Sequence, residues 1–388
     1  MLGHLRVMTA GESHGPQLTI IVQNLPAGLP VLAQDIDVDL ARRQRGYGRG
    51  GRQQIECDRV EIVAGVRHGR TMGGPIAMVV KNLDWPNWQG RMDVEPVAEP
   101  PEPVTRLRPG HADLAGVVKY GHSDVRNVLE RASARETAAR VAAGALAKVF
   151  LREFGIAIRS HVRSIGPAQA QVPDELSIEP AADHAWWQRV EASPIRTGDQ
   201  AFEEQATSLI KAARTAGDTL GGIFEVIGYG LPMGLGTYAQ WDERLDARLA
   251  AAMMSIQSIK AVELGDGFAN AARHGSAAHD VIDYDAERGW KRPTNRAGGL
   301  EGGMTNGAPL IVRGAAKPIS TLIKPLASID LATRERSVAH VERSDVCVVP
   351  AAGVVGEAMV ALVIADAMRL KFGGDSLEEA LRNYRRDG

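Results

Sequence analysis

The segment GVVGEAMVALVIADAMRLKFGG, residues 353–374, is the feature that most constrains the fold, because its apolar residues cover too much of a helix circumference for a surface helix. We predict a helix that is buried on most sides and ends at Gly373 and Gly374. Other elements must then cover it on several sides. Its uninterrupted apolar run, Ala358 to Ala365, is far too short to span a bilayer, so we expect no membrane segment.

Two other segments have helical periodicity, and short β-type runs lie between the helices. The first segment starts at a capping-box pattern, Ser133 with Glu136, and is stopped by Gly155, and the second spans residues 242–260, with Ile259 on its apolar face. The predicted strands are residues 18–23, 60–66, 76–80, 224–227 and 310–313. Because strands and helices do not alternate regularly, we predict an α+β fold, a sandwich of unusual order, in which no boundary divides the chain.

Composition limits the classes of partner. Lys and Arg number 45 against 47 Asp and Glu, a formal net charge of -2, so there is no global basic field for nucleic acid and any anion site must be local. The two cysteines, Cys57 and Cys347, lack metal-ligand spacing and fit a reducing compartment. No signal-peptide-like apolar core occurs near the N-terminus, and we expect a cytoplasmic protein.

The stretch RRQRGYGRGGRQ, residues 42–53, combines arginines with flexible glycine backbone. Guanidinium forks such as those of Arg43, Arg49 and Arg52 suit phosphate and carboxylate recognition. An RGG-like nucleic-acid segment or a solvated loop would show the same pattern, although one short cluster in a neutral chain is a poor RNA-binding footprint.

Two histidines stand on glycine turns and are candidates for proton transfer. His14 lies in GESHGP, and His111 lies in RPGHAD, with Asp113 two residues further on. A lone histidine in a turn is more often a surface or supporting residue, and neither histidine has metal-ligand spacing. Ser13 beside His14 is not a hydrolase pattern, because adjacent residues seldom reach each other as nucleophile and base.

Three further places could bind an anion or move a proton. KPIST, Lys317–Thr321, follows a predicted strand and resembles a phosphate cradle, or is only a turn with an exposed lysine. Asp345 precedes the apolar helix and is either a base or the partner of Arg343. Arg131–Ser133 start a predicted helix, where an anion or a plain N-cap would be equally suitable.

Taken together, these stretches resemble the chorismate synthase family. The motifs that carry the resemblance occur in the family's order and are GESHGP, GYGRGGRQ, GGPIAM, RPGHADLAG, RASARETAARVAAGA, GDTLGG, GLPMGLG, MSIQSIKAVELGDGF, NRAGGLEGGMTNG, KPIST and RSDVCVVPAAGVVGEAM. They cover nearly the whole chain, which we therefore treat as one catalytic domain, residues 1–388. The least matched segments, about 92–107 and 167–216, are expected to be variable surface.

The resemblance implies a lyase of the shikimate pathway, which serves aromatic amino acid biosynthesis. The reaction would be a 1,4-elimination of phosphate from 5-enolpyruvylshikimate 3-phosphate to chorismate, dependent on reduced FMN (FMNH2). It also implies a β-α-β sandwich and a homotetramer. Some members reduce flavin with a nicotinamide cofactor (NADP class), but the length here leaves no extra domain, so we expect an external source of reduced flavin.

The resemblance also gives roles to the candidate residues, with no metal. His14 would neutralise the leaving phosphate, His111 would keep the flavin correctly protonated, and Asp345 would be the base that acts through the flavin. Arg43, Arg49 and Arg52 would bind the substrate. The flavin would lie against Arg131, Ala132, Ser133, Gln257, Ser258, Gly302, Lys317, Pro318, Ile319, Ser320, Thr321 and Arg343.

Two other classes of function stay open on residues alone. One is an FMN- or phosphate-binding module without turnover, which would use the same loops. The other is RNA binding through residues 42–52, which predicts steeply salt-dependent affinity.

Overall fold

The computed structural model of the chain describes residues 2–50, 56–287, 289–342 and 344–387. Its strands, in chain order, are β1 (Arg6–Ala10), β2 (Gln17–Gln23), β3 (Val60–Ala64), β4 (Val66–Arg67), β5 (Arg70–Thr71), β6 (Ile76–Lys81), β7 (Ala157–Ile165), β8 (Ala168–Gln169), β9 (Gly222–Tyr229), β10 (Ile259–Leu264), β11 (Asp283–Asp285), β12 (Gly289–Lys291), β13 (Leu300–Glu301), β14 (Met304–Thr305), β15 (Leu310–Ala316), β16 (Ala327–Ile329) and β17 (Arg336–Val338). Its α-helices are α1 (Ala33–Gln44), α2 (Asp113–Tyr120), α3 (Arg126–Ala132), α4 (Thr137–Arg152), α5 (Glu175–Ile178), α6 (Ala185–Ala192), α7 (Gln200–Ala216), α8 (Leu245–Met254), α9 (Gly267–Ala271), α10 (Gly275–Ala278), α11 (Val349–Phe372) and α12 (Leu377–Asp387).

Two antiparallel sheets form the outer layers. The first has the order β1-β2-β6-β3, and the second has the order β10-β15-β9-β7-β8. In β2 the residues that face inward, Leu18, Ile20 and Val22, are buried, whereas Ile21 on the other face is 40% exposed. This period of two is the expected pattern for a sheet that covers a core on one side.

The long helices fill the space between the sheets. Helix α4 packs on β2 of the first sheet, α11 packs on β7 and β9 of the second, and the two helices pack on each other. They cross closely at Gly144, where a Cβ atom would lie 2.3 Å from the Cβ of Ala358. The predicted β-α-β sandwich of the α+β class is therefore confirmed.

Helix α11 is the buried helix that the sequence predicted, but it is longer than its apolar run. By length and composition it could cross a membrane, yet every residue of its most apolar window is buried inside the fold, as in a core helix. The run is bounded by two fully buried carboxylates, Glu357 and Asp366. Glu357 is paired with Arg42 at 2.7 Å and with Lys148. Asp366 accepts hydrogen bonds from backbone N–H groups at the start of the chain.

Three local predictions need correction. The helix expected over residues 242–260 ends at Met254, and Ile259 begins β10 instead of lying on a helix face. The Ser133 and Glu136 pattern starts a short 3-10 turn, Ala134–Glu136, before α4. The segment 167–216 is not only surface, because it contains α5, α6 and α7 and buries Trp186 and Trp187.

Candidate active site

A cavity of about 630 Å³ collects side chains from distant parts of the chain. It is bounded by the turn before β2, the junction of α3 and α4, the loop after α8, the KPIST loop and the start of α11. The predicted residues that line it are His14, Arg43, Arg49, His111, Ala132, Ser133, Gln257, Ser258, Lys317, Ile319, Ser320, Thr321 and Asp345. Arg131, Gly302 and Pro318 are not among the lining residues, and Arg52 and Arg343 lie outside the described residues.

His14 stands on a turn whose path requires glycine. Gly11 has φ of 109°, and a Cβ atom there would lie 2.4 Å from the carbonyl oxygen of Gln17. The imidazole Nδ1 lies 2.9 Å from Oε1 of Glu130, a carboxylate whose side chain is 1% exposed. The ring of Trp88 stacks on the imidazole with the centroids 3.7 Å apart. The turn, the carboxylate and the indole together hold the ring in one orientation.

His111 is held by a different acid. Its Nδ1 lies 2.5 Å from Oδ1 of Asp113, and Arg108 donates to both oxygens of the same carboxylate. Although burial opposes it, hydrogen bonds from His111 and Arg108 hold the pKa of Asp113 well below its usual range. Because an ionised carboxylate only accepts, the short contact places the Nδ1 proton of His111 toward Asp113.

Asp345 is anchored from the arginine–glycine loop. Arg49 lies 3.0 Å from Oδ2, and the backbone N–H of Gly50 donates to Oδ1 at 2.5 Å. A Cβ atom at Gly50 would lie 2.8 Å from the carbonyl oxygen of Ser344, so this approach excludes a larger residue. Arg49, one of the predicted substrate ligands, therefore neutralises the carboxylate of Asp345 within the cavity.

Two buried arginines form the cationic wall of the cavity. Arg43 and Arg135 share the carboxylate of Asp58, at 3.2 Å and 2.5 Å. Burial lowers the pKa of Arg43 to about 10, partly offset by Asp58, so the side chain remains a cation at neutral pH. Nη2 of Arg135 makes no hydrogen bond within the described part of the chain, and its carboxylate neighbour Glu56 is 3.6 Å away.

The KPIST loop closes over the His111 turn. Lys317 Nζ and Ser320 Oγ both donate to the carbonyl oxygen of Gly110, at 2.9 Å and 3.0 Å, and Thr321 accepts from Arg108. Burial and the charge of Lys260 lower the pKa of Lys317. Lysine and hydroxyl donors thus point at a single carbonyl oxygen.

Most of the remaining predicted flavin residues fall at two junctions, whereas Gly302 lies in the turn between β13 and β14. Arg131 and Ala132 end α3 instead of starting a helix, as the sequence had predicted. Ser133 joins α3 to the following 3-10 turn and accepts from the backbone N–H of Arg135, so it is an N-cap, while Arg131 donates to the carbonyl oxygen of Gly11. Ser258 has φ of 72°, unusual for a residue with a side chain, in the loop after α8. The Oε1 atom of Gln257 is buried and has no hydrogen bond within the described residues.

Sequence reasoning did not single out Arg108, Arg135, Glu130 or Trp88 as parts of the site. Arg108 and Arg135 stand inside motifs that the sequence analysis quoted, so their charge was an available signal. Glu130 and Trp88 had no comparable signal, because Glu130 is 116 residues from His14 along the chain and only the fold brings the two together.

The chain is similar to known proteins over nearly all of its length. A family model described as chorismate synthase matches residues 5–369. The chorismate synthase of Symbiobacterium thermophilum is 55% identical over 387 residues, 98% of each chain, and that of Geotalea daltonii is 54% identical over 98% of this chain and 97% of its own. A crystal structure of a chorismate synthase superimposes with a TM-score of 0.81 at 41% identity, covering 100% of this chain and 98% of the other.

Proposed function

The chain belongs to the chorismate synthase family, and we propose that it converts 5-enolpyruvylshikimate 3-phosphate to chorismate by 1,4-elimination of phosphate, with reduced FMN as cofactor. Family membership and the lyase activity that it carries rest on the full-length matches. The observation that carries the detailed proposal is the cavity, which gathers Arg43, Arg49, Arg135, Lys317 and two histidines around one space.

The charge of the cavity suits the proposed substrate. A phosphate and two carboxylates require several positive donors in a confined space, and guanidinium groups bind such anions through paired hydrogen bonds. Arg49 Nε and Arg135 Nη2 line or border this space, are buried, and have no hydrogen bond within the described residues. Buried donors of this kind normally have a partner, so an anionic ligand would complete their hydrogen bonding.

We propose that the same cavity holds a flavin mononucleotide beside the substrate. Its volume of about 630 Å³ is within the usual range for small-molecule sites, and its walls carry apolar side chains of α11 as well as polar loops. Ser133, Gln257, Ser258 and Lys317–Thr321 would hold the flavin, whose phosphate would take over the donors of Lys317 and Ser320. When bound, reduced FMN supplies electron density to the elimination, which has no net redox change.

His14 neutralises the departing phosphate. As the C–O bond breaks, negative charge grows on the phosphate oxygens, and a cationic or proton-donating imidazole stabilises that charge. The support for this role is that His14 lines the cavity and its ring is fixed by Glu130 and Trp88.

Asp345 is the base for the proton that the substrate ring loses, acting with the bound flavin, and His111 maintains protonation on the flavin side of the site. Both side chains line the cavity. Asp345 is paired with the guanidinium of Arg49, and His111 contacts the carboxylate of Asp113. Anchoring of this kind keeps acid and base in reacting geometry while the ligand is bound.

The other parts of the proposal concern the protein in the cell. We expect a cytoplasmic homotetramer that has no flavin reductase activity of its own and receives reduced flavin from an external source. The alignments cover 98% of this chain and at least 97% of the two relatives, so its length is similar to theirs. Sedimentation of purified protein would test the tetramer, and replacement of the chemical reductant by a nicotinamide cofactor would test the absence of a reductase.

Alanine variants of the two histidines separate an enzyme from a binding module. We expect His14→Ala and His111→Ala to retain FMN binding and to lose chorismate formation by about 100- to 10,000-fold, the usual contribution of a positioned proton donor or acceptor. A matched control is His279→Ala, a histidine that does not line the cavity. Wild-type protein that binds FMN but forms no chorismate would support the binding module instead.

A further inference from the structure

Glu130 is a buried carboxylate directed at His14. It lies near the end of α3, with a side chain 1% exposed, and accepts the backbone N–H of His14 at 2.8 Å. Its two oxygens lie 2.9 Å and 3.0 Å from Nδ1 of the imidazole. Its main-chain carbonyl accepts the backbone N–H of Ser13 at 3.1 Å. One residue therefore holds both the backbone and the ring of the turn that carries His14.

Trp88 fixes the plane of the same ring. The indole stacks on the imidazole at 3.7 Å between centroids, with 24° between the planes. The indole is itself held, because its Nε1 donates to Asp84 at 3.1 Å and the guanidinium of Arg126 lies over it at 5.2 Å. The imidazole is therefore confined at its face and at its Nδ1 edge.

The hydrogen-bonding capacities of these groups decide where the Nδ1 proton lies. An ionised carboxylate can only accept, and the Oε1 atom of Glu130 that faces His14 also accepts from Arg126 at 3.2 Å. Nδ1 of His14 must then carry a hydrogen. In a neutral imidazole with a proton on Nδ1, the other nitrogen, Nε2, is the acceptor.

We propose that Glu130 is a positioning residue for His14, which fixes the proton on Nδ1 and makes Nε2 the nitrogen that exchanges a proton with the ligand. The effect on kcat rests on the proposed function. The position of the proton on His14 does not, because it can be measured without flavin or substrate. Carboxylates that orient metal-bound imidazoles contribute a factor of about 10 to 100 in metal affinity or activity, and we expect an effect of that size here.

Nitrogen-15 NMR of histidine-labelled protein, without flavin or substrate, tests the proton position directly. Recorded near pH 9, where an ordinary imidazole is neutral, the spectrum of the wild type should show His14 with its proton on Nδ1. The signal is assigned by its absence in His14→Gln. In Glu130→Gln an NH2 group replaces one acceptor oxygen, so the proton should redistribute toward Nε2. Arg126 keeps Glu342 at 2.8 Å as a partner in this variant, so no cation is left without a carboxylate.

Kinetics provide the second measurement. We expect Glu130→Gln to lower kcat by about 10- to 100-fold with little change in KM, because the substrate's anionic contacts are not altered. Glu130→Asp, which keeps two acceptor oxygens, should recover part of kcat and the Nδ1 proton. The control is Glu225→Gln. Glu225 is also a buried glutamate that contacts a histidine, His161 at 2.8 Å, but it does not line the cavity. This variant should lower thermal stability without lowering kcat.

The proposal is overturned if wild-type His14 carries its proton on Nε2. It is also overturned if Glu130→Gln does not change both the proton position of His14 and kcat. Loss of kcat in Glu225→Gln to the same extent would also contradict it, because the effect would then be general to buried glutamates. If no chorismate forms in wild-type protein, the proposed function fails while the NMR result still decides the proton position.

Discussion

The three titratable side chains to which we give roles in proton transfer each have a partner that fixes their orientation. His14 contacts Glu130, His111 contacts Asp113, and Asp345 contacts Arg49. Burial makes these contacts strong, because a buried charge without a partner is costly. Contacts within the protein therefore orient the three side chains.

Asp345→Asn tests the proton acceptor at the residue scale. We expect kcat to fall by about 100- to 10,000-fold, because an amide cannot take a proton, while the KM for the substrate changes little. Initial rates of chorismate formation would measure this. Asp266→Asn, which alters an aspartate paired with Arg273 at 2.6 Å outside the cavity lining, is the matched control and should keep wild-type kcat. Full activity of Asp345→Asn would exclude the base and leave a structural ion pair with Arg49.

His161 gives a pH-dependent prediction. It is fully buried, accepts from Trp186 Nε1 at Nδ1 and lies 2.8 Å from Glu225 at Nε2. An indole N–H only donates, so Nδ1 has no proton and the ring is neutral. Burial lowers the pKa of His161, with Glu225 opposing the shift. A lowered pKa means that the unfolded state binds the proton more readily, so this contribution to stability is complete above about pH 6.5 and is lost as the pH falls.

Urea unfolding of the wild type and of His161→Gln between neutral and mildly acidic pH would measure the effect. The stability difference between the two proteins should shrink as the pH falls below about 6.5, because only the wild type loses the contribution of the neutral imidazole. A difference that stays constant, or grows on acidification, would contradict the assignment of a neutral ring.

From the sequence we could predict which single residues belong to the site, but not which side chains they contact. His14, His111, Asp345 and the KPIST residues were predicted, and all line one cavity apart from Pro318. Residue type and glycine context are local signals, whereas the contacts of His14 with Glu130 and Trp88 depend on which segments the fold brings together. The roles of these residues stay predictions until the variants are measured.

At the scale of elements, the sandwich depends on the close crossing of α4 and α11. Gly144 of α4 faces the backbone of Ala358 of α11, and a Cβ atom there would lie 2.4 Å from its Cα. The sequence predicted the existence of both helices, α4 from its periodic apolar face and α11 from the length of its apolar segment, but not their exact starts. It could not predict β7, or the end of α8 before Ile259, because short apolar runs suit a helix and a strand equally well.

Gly144→Ala tests this crossing. In an open helix the change would stabilise by up to about 1 kcal/mol, but here we expect a loss of about 1–3 kcal/mol because the helices must move apart. The control is Gly275→Ala in α10, where the nearest atom to a new Cβ lies at 3.9 Å. Urea midpoints measure both variants, and a Gly144→Ala protein as stable as the wild type would show that the crossing is loose.

For the whole molecule, Glu357 connects the layers. Its buried carboxylate accepts from Arg42 of α1, Ser160 of β7 and Arg196, and also pairs with Lys148 of α4. Although burial opposes it, the charges of Arg42 and Lys148 hold the pKa of Glu357 well below its usual range. Arg42 therefore binds a buried carboxylate, although it belongs to the segment, residues 42–53, in which the sequence predicted anion binding.

Glu357→Gln should destabilise the whole fold, because three cations lose a shared carboxylate, although Arg42 and Lys148 keep Asp39 and Arg196 keeps Glu191. We expect a loss of about 1.5–3 kcal/mol, the usual value of hydrogen bonds to a charged group. Chemical denaturation measures the loss, with the exposed Glu378→Gln on α12 as a control that should leave stability unchanged. A loss no larger than that of the control would show that the network is dispensable.

We propose that this cavity eliminates phosphate from 5-enolpyruvylshikimate 3-phosphate with reduced FMN. The most direct measurement is an anaerobic assay of purified protein with that substrate, following chorismate and phosphate together, once with chemically reduced FMN and once with oxidised FMN alone. We predict equal amounts of chorismate and phosphate with reduced FMN and neither product with oxidised FMN. Folded protein that binds FMN and releases no product under either condition would contradict the proposed elimination reaction.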